Sequence, residues 1–335
     1  MVVAGLVVVA LVAVLSRGTD VVALRSRADP RLYVLAYVGV TAWLLAAGQS
    51  LLVLVREGAP ALDPGRFRLA FLGGMALRGV VPGGSVSGPP LVASVVTAAT
   101  TADGEESLAA AAVAEVASWV GSVAVASAGL AGLVLTGGAG RVPAALVGGL
   151  AVLTVAVALV VVAAVRAPVL VRGPTLALAA AGRATVGRLS PRVRATLAPE
   201  GVERRLDRLF EVLAALAREP RRLAVALAWS TLGWLAHGLA LYATVAALAL
   251  PVSPFVALFV VPVGGAAEGL SLLPGGLGSV EPSQALLLAL LSGVSVGAAS
   301  VATLLFRLGS YWFRLLVGAA CLLYLGARPS PGTAE

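Results

Sequence analysis

Residues 262–283 read PVGGAAEGLSLLPGGLGSVEPS, and this stretch decides the fold. It carries two carboxylates, Glu268 and Glu281, yet apolar sequence flanks it for tens of residues on both sides. A smooth helix cannot pass through the Pro-Gly-Gly at 274–276, because proline removes a backbone donor and glycine disfavours helix. Irregular backbone at membrane depth is tolerated only where it is buried in protein or lines a cavity. We therefore predict a broken membrane segment at the centre of a polar site.

The composition is that of an integral membrane protein with many spans. Of the 335 residues, 59% are hydrophobic and 12% are charged, and the mean hydropathy is +1.00. The net charge of +8 comes from arginines that lie mostly in connections, not in a patch with aromatic residues, which argues against nucleic-acid binding. The single Cys321 forms no internal disulfide, and the sequence shows no cluster of metal ligands.

A second copy of the Pro-Gly-Gly motif lies earlier in the chain. Residues 82–90 read PGGSVSGPP and residues 274–282 read PGGLGSVEP, so a shift of 192 positions aligns the Pro-Gly-Gly and the final Pro. The same shift places Glu115 opposite Arg307. Apolar segments that Gly and Pro interrupt at matching places in two halves are typical of transporters built from repeats.

The apolar runs predict an all-α polytopic membrane protein with about six full spans plus two re-entrant broken-helix hairpins in inverted repeats. The whole chain, 1–335, is interpreted as a single integral membrane domain. The full spans are predicted at 2–16, 32–55, 107–135, 143–165, 223–249 and 299–326, the broken segments at 69–102 and 255–298, and the repeat halves at 32–135 and 223–326.

Residues 166–222 form the most basic connection, with twelve arginines and five acidic residues. Because arginine-rich loops stay in the cytoplasm, this loop is predicted to be cytoplasmic. Apolar residues recur at helical spacing from Val202 to Leu216, opposite a charged face, which predicts an amphipathic helix at the membrane surface. Counting spans from this loop makes the two halves inverted, with the first hairpin open to the cytoplasm and the second to the outside.

Six charged residues lie in or near the apolar runs. A charge at mid-bilayer costs at least about 2.5–3.5 kcal/mol, so it faces a cavity or a partner. Glu281-Pro282 predicts a helix start with Glu281 as its cap, and Pro90 predicts another. Two helix N-termini that meet near Arg78 and Arg307 would form an anion site, and the guanidinium fork suits a phosphate. The six residues are Arg78, Glu115, Glu268, Glu281, Arg307 and Arg314.

Structural roles are the alternative for these charges. Arg307 with Glu115 or Glu281 would form a buried pair that holds helices together. Glu268 would cap a helix end, and Arg314 would extend to the membrane interface.

The only histidine, His237, lies in the span predicted at 223–249. A packed, hydrogen-bonded side chain is the favoured interpretation, with a proton relay as the alternative. The Trp and Tyr residues are expected to be interface anchors or core; they include Trp43, Trp119, Trp229, Trp234, Tyr311, Trp312 and Tyr324.

The C-terminal region carries a more specific pattern. Residues 274–318 read PGGLGSVEPSQALLLALLSGVSVGAASVATLLFRLGSYWFRLLVG. This resembles the signature of the flippase-like family of the lysylphosphatidylglycerol synthase transmembrane region, P-G-G-x-G-x-x-E, an apolar run with Gly, then Leu-Leu-x-Arg and Tyr-Trp. Residues 81–90, VPGGSVSGPP, resemble the first motif of the family, and the resemblance covers nearly the whole chain. The matching positions are Pro274, Gly275, Gly276, Gly278, Glu281, Gly293, Arg307, Tyr311, Trp312 and Gly318.

The first motif departs from that family. Gly88 is followed by Pro89 and Pro90 where the family carries Gly-Glu and a following Arg, and Val116 stands where the family has an Arg. The soluble aminoacyl-transferase domain of the synthases does not follow in this sequence. The resemblance therefore implies a stand-alone lipid-handling membrane domain and not the synthase reaction.

These observations favour a flippase-like lipid translocator of the cell membrane that moves an anionic phospholipid or a polyprenyl-phosphate-linked lipid between leaflets. Arg307 would hold the phosphate, while Glu281 and Glu115 would bind a cationic group, carry a proton or balance Arg307. The alternative is a non-transporting membrane subunit that docks a lipid-modifying or glycosyl-transferring enzyme through residues 166–222. We expect membrane lipids as partners, and no enzyme activity, cofactor, metal or nucleic acid. The expected substrate-binding residues are Arg307, Glu281, Glu115, Arg78, Gly275, Gly276, Gly83, Gly84 and Tyr311.

Overall fold

The computed structural model describes residues 28–55, 62–81, 84–138, 142–166, 168–185, 198–271 and 273–327. Every regular element within these ranges is a helix, which confirms the all-α class for them. The predicted first span at 2–16 and the turn at 82–83, with Gly83, lie outside the described residues.

Twelve α-helices lie in the described ranges, and tighter or wider turns extend several of them. The helices are α1 (Pro30–Val55), α2 (Pro64–Val80), α3 (Gly84–Ala99), α4 (Gly104–Leu133), α5 (Ala144–Arg166), α6 (Pro168–Thr185), α7 (Pro199–Ala217), α8 (Pro220–Ala247), α9 (Pro254–Gly265), α10 (Val280–Ser292), α11 (Val296–Arg307) and α12 (Arg314–Gly326). The turns are 3-10 at Ala266–Leu270 and Pro274–Gly276, and π at Val134–Gly138 and Leu308–Phe313. Each predicted broken segment is thus two helices, α2 with α3 and α9 with α10.

Four helical stretches are long and apolar enough to cross a membrane. They are Pro30–Val55, Gly104–Thr136, Pro220–Ala247 and Val296–Gly326. Each corresponds to one of the full spans predicted from the sequence. Helix α5, where another span was predicted, contains a shorter apolar stretch, Ala144–Leu159. The described part of the chain thus has several apolar helices, as expected of a membrane protein. The count of six full spans stays a prediction.

Two helix starts differ from the prediction. Helix α4 begins at Gly104, before the start predicted at residue 107, because the carboxylate of Asp103 caps it by accepting hydrogen bonds from the backbone N–H groups of Glu105 and Glu106. Pro90 does not begin a helix, since α3 begins at Gly84 and includes both prolines. A proline has no N–H to donate to the carbonyl one turn earlier. Because both prolines lie near the start of α3, the hydrogen bonds that are lost also lie close to the beginning of that helix.

The long helices pack against one another through small residues. Helices α1 and α8 form the most extensive pair, α4 packs against α8 and α9, and α12 packs against α2. At the α4–α9 contact, a Cβ added to Gly129 would lie 2.7 Å from the backbone nitrogen of Phe259. At the α2–α12 contact, a Cβ on Gly318 would lie 2.4 Å from the carbonyl oxygen of Leu72. Small residues let helix backbones approach closely where lipid leaves packing as the main driving force.

The predicted amphipathic helix is present as α7. Val202 and Leu206 are buried, whereas Glu203 and Arg204 are exposed. Helix α7 packs against α4, and Arg208 lies 3.9 Å from the carboxylate of Glu105 at the beginning of α4. The apolar face of α7 is therefore covered, while its charged face is exposed and reaches α4 through Arg208.

Candidate functional site

The backbone between α9 and α10 is irregular, as the Pro-Gly-Gly motif predicts. Gly275 and Gly276 have φ angles of 58° and 68°, in the left-handed region that side chains rarely adopt. A Cβ on Gly275 would also lie 2.1 Å from Cε2 of Tyr311. Glycine is thus required at position 275 for two reasons, its φ angle and the aromatic ring that covers it.

This irregular backbone holds a buried ion pair. The Nε–H of Arg307 donates to Oε1 of Glu281 at 2.8 Å, and an Nη2–H of Arg307 donates to the carbonyl of Gly275 at 2.7 Å. The second oxygen of Glu281 accepts the N–H of Gly278 at 2.7 Å. Of the two partners considered for Arg307, the structure selects Glu281. Helix α10 begins at Val280, so Glu281 satisfies a backbone N–H from inside the first turn and does not occupy the cap position.

Tyr311 joins this pair to the first hairpin. The guanidinium of Arg307 lies over its ring, 4.8 Å from the centroid. Its hydroxyl donates to the carbonyl of Gly79 at 3.2 Å, near the end of α2. Tyr311 lies in the π turn Leu308–Phe313 between α11 and α12. From this wider turn, the side chain of Tyr311 contacts both broken segments.

The first hairpin supplies a second ion pair. Nη1 and Nη2 of Arg78 donate to the two oxygens of Glu115 at 2.5 and 2.8 Å, in a bidentate geometry. A Cβ on Gly88 would lie 2.8 Å from Cδ of Arg78, so the backbone of α3 covers the arginine. Gly84, a predicted site residue, is the first residue of α3. Arg78 and Glu115 thus meet each other, and neither contacts Arg307 by a hydrogen bond in the described part of the chain.

Arg314 is buried, which makes the predicted interfacial position wrong. Its guanidinium carbon lies 5.8 Å from the ring centroid of Trp43 and 5.8 Å from that of Tyr311. The two aromatic rings and the start of α12 hold the side chain inside the bundle, so it cannot extend to the membrane surface. The π turn that precedes Arg314 determines this inward direction.

Glu268 lies in the 3-10 turn Ala266–Leu270, between α9 and α10, and this turn also contacts α3 of the first hairpin. Its carboxylate interacts electrostatically with Arg78 and with Arg314. No ion pair within 4.0 Å joins Glu268 to either arginine among the described residues. Glu268 therefore adds negative charge near these arginines without pairing with either.

His237 is packed as predicted, but the predicted hydrogen bond is absent from the described residues. Its ring stacks on Trp43 with the centroids 4.1 Å apart, and Phe306 lies 5.2 Å away. Both ring nitrogens are buried without a hydrogen-bond partner. His237 and Arg314 therefore contact the same indole.

Six charged side chains thus surround the broken backbone, three arginines and three glutamates. In a low-dielectric interior each charge interacts strongly with its neighbours, and an unmatched charge is unfavourable. Such a set can exchange partners with the charges of a ligand without a change in net charge. The chemistry of this arrangement suits interaction with a charged group.

The positions of Arg314 and Trp43 in the site were not predicted from the sequence. For Arg314 the sequence contained a signal, because this residue follows Arg307 by seven residues, or two helical turns, in the same apolar span. Two arginines on one face of a membrane helix predict a common polar environment. Trp43 gave no such signal, because only packing shows which tryptophan lies beside an arginine.

Comparison with protein families gives one match. A family model described as Lysylphosphatidylglycerol synthase TM region matches residues 1–318. Comparison with curated proteins gives no match. The family match covers every residue of the site described above.

Proposed function

Because the chain belongs to the family of the lysylphosphatidylglycerol synthase transmembrane region, we propose that it is a multi-pass lipid translocator of the cell membrane. Its cargo is an anionic phospholipid or a polyprenyl-phosphate-linked lipid, and no chemical step is catalysed. One observation carries the proposal, namely that a buried Arg–Glu pair, a partly buried Arg–Glu pair and a third, buried arginine surround broken backbone between apolar helices. Charges of this kind within membrane segments mark substrate or ion pathways.

The packing of the two halves supports the predicted repeat. Helix α4 of the first half packs against α9 of the second, and α12 of the second half packs against α2 of the first. Two repeats related by a two-fold axis would make this reciprocal exchange. Helices α1 and α8, at matching places in the two halves, pack against each other, as elements beside such an axis would. We propose that α2–α3 and α9–α10 are re-entrant hairpins that enter from opposite sides.

The headgroup would cross at the broken segments while the lipid tails stay in the bilayer. Two N–H groups of Arg307 are donated to Glu281 and to the Gly275 carbonyl, and a phosphate that binds through the Nε side of the guanidinium would take the place of Glu281. A phosphate that replaces Glu281 leaves the carboxylate free for a cation or a proton. Exchange of partners therefore links headgroup entry to movement of α10, where Glu281 lies.

The test is lipid movement in proteoliposomes. Labelled phosphatidylglycerol is incorporated, and its exposure on the outer leaflet is followed with a membrane-impermeant reductant. We expect movement by the wild type, loss of movement with Arg307→Ala and with Glu281→Gln, and no change with Arg68→Gln, an exposed arginine of α2. Thermal unfolding shows whether each variant is folded. Movement that is unchanged in both site variants would contradict the site, and no movement of any anionic lipid by the wild type would contradict translocation.

A docking role is the second candidate, and α7 favours it. The exposed face of this helix carries charges of both signs, including Glu203, Arg204 and Glu211. If the chain is a non-transporting subunit for a lipid-modifying enzyme, the wild type should move no lipid, and Arg204→Glu combined with Glu203→Arg should abolish partner capture. Loss of cellular function from this variant alone, with Arg307→Ala silent, would favour docking.

A further inference from the structure

Three arginines lie at the broken segments, Arg78 partly buried and Arg307 and Arg314 buried, and they differ in how their N–H groups are used. Arg78 donates to Glu115, and Arg307 donates to Glu281 and the carbonyl of Gly275. Arg314 is 6% exposed, its Nε is buried without a partner, and no hydrogen bond or ion pair to it is found among the described residues. Arg314 is therefore a buried cation whose donors are not used within the described part of the protein.

The surroundings of Arg314 contain further unused polar groups. The hydroxyl of Ser310, one turn before Arg314, is buried without a partner among the residues that the structure describes. Within the same ranges, both nitrogens of His237, which is 8% exposed and stacks on the same Trp43, also have no partner. Buried polar groups are normally hydrogen-bonded, and each unsatisfied one requires an explanation. Several such groups near one arginine point to a ligand that carries acceptor oxygens.

We infer that Arg314 is the residue that binds the phosphate ester of the lipid headgroup, with Ser310 and His237 as neighbouring donors. This inference rests on the proposed function and differs from the sequence-based expectation, which gave the phosphate to Arg307. The ligand class is a phosphate mono- or diester, whether it is carried by a lipid or free in water.

The chemistry of the side chain favours this assignment. Cation–π contacts with Trp43 and Tyr311 position the guanidinium without consuming an N–H group, so its hydrogen-bonding capacity stays available. Glu268 interacts with it electrostatically but forms no ion pair with it in the described residues. A phosphate at Arg314 therefore does not compete with a bonded carboxylate, whereas at Arg307 it would share the guanidinium with Glu281.

Arg314 lies beside the first hairpin. A Cβ on Gly79 would lie 3.2 Å from Nη2 of Arg314, so the backbone near the end of α2 packs against that end of the guanidinium. The carbonyl of the same Gly79 accepts the hydroxyl of Tyr311, and the ring of Tyr311 also covers Gly275 of the second hairpin. A phosphate at Arg314 would therefore lie next to the residue that joins the two hairpins.

The experiment measures binding separately from movement. Purified full-length protein in detergent micelles is titrated with short-chain phosphatidylglycerol, with diacylglycerol of the same chain length, and with glycerol phosphate. Binding is followed by tryptophan fluorescence, to which Trp43 contributes, and by the shift of the unfolding temperature. The variants are Arg314→Gln, Arg314→Lys and, as the matched control, Arg68→Gln.

We expect phosphatidylglycerol to bind the wild type and Arg68→Gln equally, and diacylglycerol to bind much more weakly. Arg314→Gln should weaken phosphatidylglycerol binding about 10- to 100-fold, as expected for loss of charge-assisted hydrogen bonds. Arg314→Lys, which keeps the charge but not the fork, should fall between. Binding of glycerol phosphate with the same dependence on Arg314 would show that the site recognises the phosphate itself, and binding of the lipid alone would show that it also requires the tails; both results support the inference.

Equal phosphatidylglycerol binding by the wild type and a folded Arg314→Gln would overturn the inference. So would a wild type that binds no phosphate ester. Lipid movement is scored independently in proteoliposomes. Arg314-dependent binding without movement would refute translocation and keep the phosphate site, whereas movement that is unaffected by Arg314→Gln would keep translocation and refute the site. If Arg314→Gln fails to fold, Arg314→Lys tests the inference in its place, and phosphatidylglycerol binding equal to that of the wild type would overturn it.

Discussion

The two ion pairs at the broken segments take their charges from opposite elements. In the first half, the hairpin helix α2 supplies the cation, Arg78, and the long helix α4 supplies the carboxylate, Glu115. In the second half, the hairpin supplies the carboxylate, Glu281, and the long helix supplies the cation, Arg307. The long-helix members, Glu115 and Arg307, thus lie at matching positions with opposite signs, whereas the hairpin members come from different hairpin helices, Arg78 from α2 and Glu281 from α10. A buried pair requires opposite charges, and either helix can carry either sign.

The pairs also differ in burial and in their links to the backbone. The side chains of Arg307 and Glu281 are 8% and 2% exposed, against 17% and 14% for Arg78 and Glu115. The second pair makes two further bonds to the backbone of the Pro-Gly-Gly region, whereas the first pair is bidentate between side chains alone. The second pair therefore stabilises an irregular backbone, and the first pair joins two helices that would form without it.

The largest effect is expected from removing the charge of Glu281. Glu281→Gln leaves Arg307 buried and uncompensated, which should lower the free energy of unfolding by about 3–5 kcal/mol. The measurement is thermal or chemical unfolding in detergent. Glu105→Gln, at an exposed position of α4, is the control and should change little. An equal effect at both positions would contradict the special role of the second pair.

The next effect concerns the backbone that this pair stabilises. Gly275→Ala combines a positive φ with a clash against Tyr311, and should destabilise by about 2–4 kcal/mol. Gly293 is the matched control, because it also has a positive φ, 74°, but no atom within 4 Å of an added Cβ. Gly293→Ala should therefore show the strain of the backbone alone. If the two variants unfold alike, the contact with Tyr311 contributes nothing.

A smaller effect is expected at the first pair. Glu115→Gln keeps one acceptor for Arg78, and partial exposure lets water solvate the arginine, so we expect a loss of about 1–3 kcal/mol. A double-mutant cycle at each pair sharpens the comparison, since it isolates the coupling between the two charges. The coupling of Arg307 with Glu281 should exceed that of Arg78 with Glu115, and the reverse order would show that burial does not determine their strength.

The smallest effect is expected from the hydroxyl that connects the halves. Tyr311→Phe keeps the ring beside Arg307 and removes only the bond to the carbonyl of Gly79, so about 0.5–1.5 kcal/mol should be lost. Proteoliposome assays of the same variant report on the link between hairpins. A large change in lipid movement with little change in stability would indicate that this bond serves the motion rather than the fold.

Much of the architecture follows from local sequence. The apolar runs that became α1, α4, α8 and the α11–α12 helix are long, and their hydropathy alone predicts membrane helices. The Pro-Gly-Gly at 274–276 predicts a break, because proline and glycine oppose helix whatever surrounds them. Helix α7 could also be predicted from local sequence, because the helical spacing of its apolar residues involves only residues that are close together in the chain.

The sequence did not determine which charged residues, distant from each other in the chain, form pairs. A charge in an apolar run must find a counter-charge, but nothing local states that Arg307 pairs with Glu281 and Arg78 with Glu115. Likewise, Arg314 was predicted at the interface, because a flexible arginine near a helix end reaches water when nothing restrains it. The π turn at Leu308–Phe313 and the rings of Trp43 and Tyr311 direct it inward instead. Local chemistry determined the helices and their breaks, whereas pairing and burial depend on packing between residues that are distant in sequence, which only the tertiary structure decided.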